Sequence, residues 1–216
     1  MEHATQIREV LRSGAGLDDQ TFDHLYATGV RARSEVFWTP VAVALRAAAL
    51  LAPASHLRIL DVGAGPGKLC CVGALATDAW WHGIERDPSL VAVARSTART
   101  LEVASRASFI CGDMSDVDWA AFDGLYLYNP FEAALYVDDL TERSDRWIAF
   151  DEQVERAEQR LAEMPAGTRV VTYHGFGGEM PDGYTLASRE PMGTDYLALW
   201  IKGSTHRAVQ SQRASA

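Results

Sequence analysis

The chain has 216 residues, 48% of them hydrophobic, which suits one domain with a full core, with or without an N-terminal extension, and excludes wholesale disorder. Its net charge of −9 repels phosphate backbones, so a nucleic acid is not the expected partner, and an acidic surface weakly favours a cationic one. The longest apolar stretch, PVAVALRAAALLAP, is too short to span a bilayer, and the polar start MEHATQIREVLRS is not a secretory signal, so no membrane partner and a cytoplasmic location are expected.

In chain order, residues 4–12 and roughly 17–33 carry helix-like patterns separated by SGAG. Thr39 before Pro40 has the form of a helix cap followed by proline at the first helical position, predicting a helix to about Leu51 that stops near Pro53. An alternation then begins. LRILDVG, WWHGIE, ASFICG, GLYLYN and TRVVTYHG are predicted strands. Between them GKLCCVGALAT, PSLVAVARSTARTLEVA, FEAALYVDDL and RWIAFDEQVERAEQRLAEM are predicted helices, with DMSDVDWAAF irregular. Strands alternating with helices imply a parallel sheet covered on both faces. The last two strands, GYTLASRE and YLALWIKG, are joined only by PMGTD, too short for a parallel crossover, so they form an antiparallel hairpin. The tail STHRAVQSQRASA, residues 205–216, is expected to be disordered.

The three cysteines, Cys70, Cys71 and Cys111, are odd in number and two are adjacent, which makes a poor disulfide framework and no zinc spacing; all three are expected buried and reduced, with no metal site.

The strongest chemical signal is ILDVGAGPGKL, residues 59–69. A strand delivers Asp61, then Gly63, Ala64, Gly65 and Gly67, directly before a helix. Glycines let backbone approach a ligand, and the helix N-terminus offers free N–H groups to an anionic group. The dinucleotide fingerprint G-x-G-x-x-G would put Lys68 where the third glycine is needed, so the spacing here is G-x-G-x-G with an acid two residues ahead.

On these residues the chain resembles the class I S-adenosylmethionine-dependent methyltransferases, over about residues 36–203. The resemblance implies an α/β, doubly wound, seven-stranded, mostly parallel sheet in three layers (αβα), with an antiparallel C-terminal hairpin that inserts the last strand. It implies an S-adenosylmethionine-binding domain over residues 39–204, preceded by a helical extension over 1–38. Asp61 would order the methionine end of the cofactor, or merely hold the turn. Glu85, ending WWHGIERD next to Arg86, would accept both ribose hydroxyls, although dinucleotide enzymes use the same device. Asp113 and Met114 of FICGDMSD would meet the adenine, although a Gly-Asp pair is also ordinary turn chemistry.

In this family the fourth strand ends at the substrate. Amino-methyltransferases carry Asn/Asp-Pro-Pro-Tyr/Phe there; this chain has Asn129-Pro130-Phe131, one proline short, so their amine-binding geometry does not transfer. Tyr128 and Asn129 are candidates to line the pocket, with a plain turn as the alternative. His174, ending the fifth strand, is a candidate base or simply a hydrogen-bonded strand end. Phe37, Trp38 and Thr39 would lid the cofactor or pack the core. Methyl transfer is an in-line displacement that depends on alignment more than on acid–base help. The functional expectation is methyl transfer to a small-molecule or protein side-chain acceptor. Open alternatives are a catalytically silent cofactor-binding module and a nicotinamide enzyme.

Overall fold

The apolar run from Arg58 decides the layout. In β1 (Arg58–Val62) every residue after Arg58 is buried; Leu60 and Val62 belong to one core and Ile59 to another. A strand buried on both faces belongs in the middle of a parallel sheet. The computed structural model, which describes residues 2–32, 38–131 and 143–204, puts it there. The other strands are β2 (Trp80–Glu85), β3 (Ala107–Cys111), β4 (Gly124–Tyr128), β5 (Arg169–Tyr173), β6 (Tyr184–Met192) and β7 (Asp195–Lys202). Their order is β3-β2-β1-β4-β5-β7-β6; β1 to β5 run parallel, and β7 enters antiparallel between β5 and β6. The expected doubly wound seven-stranded sheet is therefore the observed one.

The helices are α1 (Glu2–Arg12), α2 (Asp19–Asp23), α3 (Thr28–Arg31), α4 (Val41–Leu51), α5 (Lys68–Ala76), α6 (Pro88–Thr100) and α7 (Arg143–Ala162). Strand alternation sorts them into layers. Ile59, Trp81, Phe109, Tyr126 and Val171 meet α4, α5 and α6, while Leu60, Ile84, Leu125, Leu127 and Val170 meet Val154, Ala157 and Leu161 of α7. Ile7, Leu11 and Phe22 of the N-terminal helices share the first of these cores.

Local details depart from the sequence reading. The segment 17–33 is two short helices, not one; between them Tyr26 is buried, with ring centroids 6.1 Å from Phe22 and 4.8 Å from Trp38. Thr39 does not cap α4. Its hydroxyl meets Tyr126 OH at 3.1 Å, and the cap comes from across the fold: Val41 N–H donates to Asp19 Oδ1 at 2.8 Å. The hairpin is tighter than PMGTD suggested. Pro191 and Met192 remain in β6 and the turn is Gly193-Thr194; β6 is an edge strand, where proline's missing N–H is tolerated. Cys70 and Cys71 are buried as expected, but Cys111 is exposed, because the end of β3 lies at the rim of the sheet. The predicted helix FEAALYVDDL beyond Phe131, Phe37 and the tail 205–216 lie outside the described residues.

Candidate functional site

The glycine turn follows β1 directly, and its shape depends on two glycines with opposite surroundings. Gly67 (φ +80) ends the turn and caps α5 in the left-handed region; a Cβ there would lie 2.5 Å from the Phe109 ring. Gly65 (φ +52) has nothing within 4 Å of where a Cβ would be, so the space above the turn is open. The turn is fastened to the neighbouring strand: Gly63 and Ala64 N–H both donate to Ile84 O, at 2.9 and 3.0 Å.

Beside this turn lies a small cleft. Asp61, Gly63, Ala64, Gly65 and Tyr128 line it, as do Trp38 and Thr39. Asp61 shares the sheet face of Ile59, in register with Tyr126, and is 4% exposed. Burial pushes its carboxyl up to about 7; a long hydrogen bond from the Cys70 thiol (3.6 Å) opposes the shift, and the charge of Glu85 adds to it. A buried carboxyl with a thiol as its hydrogen-bond donor, at the wall of a cleft, suits a cationic ligand.

Glu85 ends β2 and reaches the turn: Oε2 accepts Gly65 N–H at 2.9 Å and Oε1 accepts Asp87 N–H at 2.8 Å. Each oxygen keeps a further lone pair, the arrangement a vicinal diol needs. Arg86 is largely exposed, its Nε 3.9 Å from Asp113 Oδ2. Asp113 forms a capping box with Asp116: its Oδ1 accepts from Ser115 N and Oγ, and its own N–H donates to Asp116 Oδ2. Burial works against ionisation of Asp113, but the Ser115 bonds together with the charges of Arg86 and Arg156 hold the carboxyl below its usual range. Met114 is buried in the core on the α7 side.

At the carboxyl ends of β4 and β5, two non-glycine residues adopt left-handed backbone, Asn129 (φ +37) and His174 (φ +57). Asn129 N–H donates to Gly175 O at 3.1 Å, which ties the two strand ends together. Such conformations cluster at functional sites. The Tyr128 ring lies 5.4 Å from that of His174, so it spans from the cleft to the end of β5.

Sequence reasoning passed over Lys68, which begins α5 and lines the cleft. It is 3% exposed, with Nζ 2.5 Å from Asp19 Oδ1 and 2.8 Å from Asp23 Oδ1, the second an ion contact off the hydrogen-bond direction. This pairing docks α2 onto the turn. A lysine directly after the third glycine was the available signal; its partners, 45 and more residues upstream, gave none. Among the described residues no group of His, Cys, Asp or Glu could hold a metal ion, and no helix is long and apolar enough to cross a membrane.

An open glycine turn at a helix N-terminus, Glu85 hydrogen-bonded to it and the buried acid Asp61 at the wall of the cleft together form one site after β1 and β2. Residues 53–138 match the family model described as a methyltransferase domain. No curated protein matches the sequence. Among solved structures the chain is similar to an RNA methyltransferase from Salinibacter ruber in complex with S-adenosyl-L-homocysteine, at 23% identity and TM-score 0.52, covering 76% of this chain and 90% of that one. TrmN from Thermus thermophilus is similar at 18% identity and TM-score 0.52, over 76% of this chain and 49% of that one. A mutant of MtNAS in complex with S-adenosylmethionine is similar at 16% identity and TM-score 0.55, over 94% and 73%. At these identities the structures establish the fold alone. Residues 53–138 of the chain thus match a methyltransferase domain, and the fold that carries them is the Rossmann-like one of these structures.

Proposed function

We propose that the protein binds S-adenosylmethionine in the cleft beside the glycine turn and passes its methyl group to a small-molecule or protein side-chain acceptor at the ends of β4 and β5. The observation that carries this is the pairing of Asp61 and Glu85 around the open space over Gly65. The cofactor supplies a methyl group activated on a sulfonium. The chain supplies position. Asp61 faces the cationic methionine end, Glu85 accepts from the ribose diol, Asp113 meets the adenine, and Trp38 and Thr39 line the cleft, while Met114, buried in the core on the α7 side, is not brought to the cleft as the sequence reading expected. Tyr128 and Asn129 shape the acceptor side. Alignment of this kind supplies most of what an in-line displacement needs.

The acidic net charge supports a small or protein acceptor. The expected exclusion of nucleic acid gains no support from the comparisons, because one similar structure is an RNA methyltransferase. A short RNA therefore belongs in the acceptor screen beside amines, phenols, carboxylates and peptides. The three free cysteines fit a reducing cytoplasm. Calorimetry tests the reading: S-adenosylmethionine and S-adenosylhomocysteine should bind and nicotinamide dinucleotides should not. A folded protein that gives no heat with either sulfur ligand would refute it; binding without transfer to any acceptor would instead favour a catalytically silent module.

A further inference from the structure

The C-terminal hairpin brings a carboxylate to the site from the far end of the chain. Because β7 runs antiparallel, its first residue, Asp195, lies at the same sheet edge as the last residues of β5, where ligands of open α/β sheets bind. The hairpin tip is fastened there twice. Tyr173 OH donates to Met192 O at 3.1 Å, and Asp195 Oδ2 lies 3.0 Å from His174 Nδ1. A carboxylate at Nδ1 places the ring proton on that nitrogen and leaves the lone pair on Nε2. Nε2 points to Thr194 Oγ1 at 3.3 Å, a long contact in which the hydroxyl donates. The ionisable groups against the ring, among the described residues, are Asp195, Tyr128 and Tyr173. His174 also holds left-handed backbone, a conformation an L-residue does not adopt without compensation.

We infer that His174, oriented by Asp195, accepts a proton in the transfer, and that the acceptor is one whose attacking oxygen or nitrogen still carries a proton, such as a phenol, an alcohol or an amine. The inference rests on the cofactor reading above. The acceptor's lone pair forms a bond to the methyl carbon, the carbon–sulfur bond breaks with its electron pair passing to sulfur, and the acceptor's proton passes to Nε2. The product is a neutral methylated acceptor, and the imidazolium is held by the Asp195 carboxylate. Asp195 is a positioning residue, since it acts through the imidazole.

The full-length protein is assayed with methyl-labelled S-adenosylmethionine against catechol, p-cresol and propylamine, and against the proton-free acceptors pyridine, dimethyl sulfide and acetate. Transfer is expected to at least one of the first set. His174→Ala should lower kcat for it by roughly 100-fold or more, the usual share of a general base, with S-adenosylhomocysteine affinity unchanged. Asp195→Asn should lower kcat by roughly tenfold or more, with KM nearly unchanged. Nitrogen-15 spectra give a readout free of turnover: in the wild type Nδ1 of His174 should carry the proton, and Asp195→Asn should move that signal. Transfer confined to the proton-free acceptors, no transfer to the proton-bearing set by protein that binds the cofactor, full kcat in His174→Ala, or a proton resident on Nε2 would each overturn the inference. Cofactor binding is measured separately, so its loss would count against the cofactor reading and not against this one.

Discussion

Gly65 N–H donates to Glu85 Oε2 at 2.9 Å, so the acid proposed to hold the ribose also braces the glycine turn. Two roles on one side chain change what its removal does. Glu85→Ala leaves the Gly65 and Asp87 amides without their acceptor, which costs about 1–3 kcal/mol for a part-buried group. Its melting temperature should drop even without ligand, and cofactor affinity should fall at least roughly tenfold, the loss of charge-assisted bonds. Glu85→Gln keeps one carbonyl acceptor and should recover part of both. Melting curves beside calorimetry check this; an alanine variant that melts like wild type would show that the brace carries no energy.

Asp61 makes stability and binding run in opposite directions with pH. In the unfolded chain its carboxyl ionises near the ordinary value of about 3.9, whereas burial in the fold raises it to about 7. Between these values the folded chain binds more protons. The contribution of Asp61 to stability is therefore complete below the unfolded range and is lost as pH rises through about 7. A cationic ligand favours the ionised form, so affinity should rise over the same window. Asp61→Asn should abolish both slopes. Melting and titration series from pH 5 to 8 measure them, and parallel curves for wild type and variant would exclude the assignment.

The two glycines should respond differently to a single methyl group. Gly67→Ala forces a Cβ to 2.5 Å from the Phe109 ring at a left-handed φ, so overpacking and backbone strain add and the loss should reach several kcal/mol. Gly65→Ala meets no protein atom and carries about 1 kcal/mol of backbone strain alone, yet it enters the open space above the turn. It should fold and bind cofactor poorly. Normal binding by Gly65→Ala would place the ligand elsewhere.

Lys68 tests how firmly the N-terminal helices are joined to the site. Its amine and Asp23 are each 4% exposed at the side chain. Removing one partner of such a buried pair strands the other charge, at about 3–5 kcal/mol. Lys68→Met should therefore be much less stable than the double variant Lys68→Met/Asp23→Leu, and thermal melts of the three proteins decide it. Equal losses in single and double variants would show the pair to be uncoupled.

The legible and illegible parts divide by range along the chain. WWHGIE was readable as a strand to its last residue, and the hairpin followed from loop length alone, because these are local patterns constrained by period and reach. Thr39 was misread because its local cap signal lost to a partner 20 residues upstream, Asp19, which caps Val41 and pairs with Lys68 as well. The contact of Asp195 with His174 was invisible for the same reason: nothing near Asp195 in sequence says that an antiparallel strand returns it to the end of β5. That Asp61, Gly65 and Glu85 meet at one turn was legible, since a strand-end acid and a glycine spacing are themselves local; their ligand roles are the proposal made above.

Asn129 is either a pocket residue or part of a plain turn, and its backbone decides how it must be tested. At φ +37 the residue sits where asparagine is tolerated and alanine is not, so Asn129→Ala combines loss of the side chain with about 1 kcal/mol of strain. A drop in stability in that variant is uninformative about function. Asn129→Gly separates the two, since glycine takes the same backbone freely and keeps the N–H that donates to Gly175 O. If the amide orients the acceptor, the glycine variant should melt close to wild type and bind cofactor normally, yet lose turnover, because an alignment contact is felt most in the transition state. If Asn129 only shapes the turn, the glycine variant should keep full specific activity and the alanine variant should lose stability alone. Turnover per folded molecule, measured on both variants with the first acceptor found, distinguishes a site residue from a turn residue.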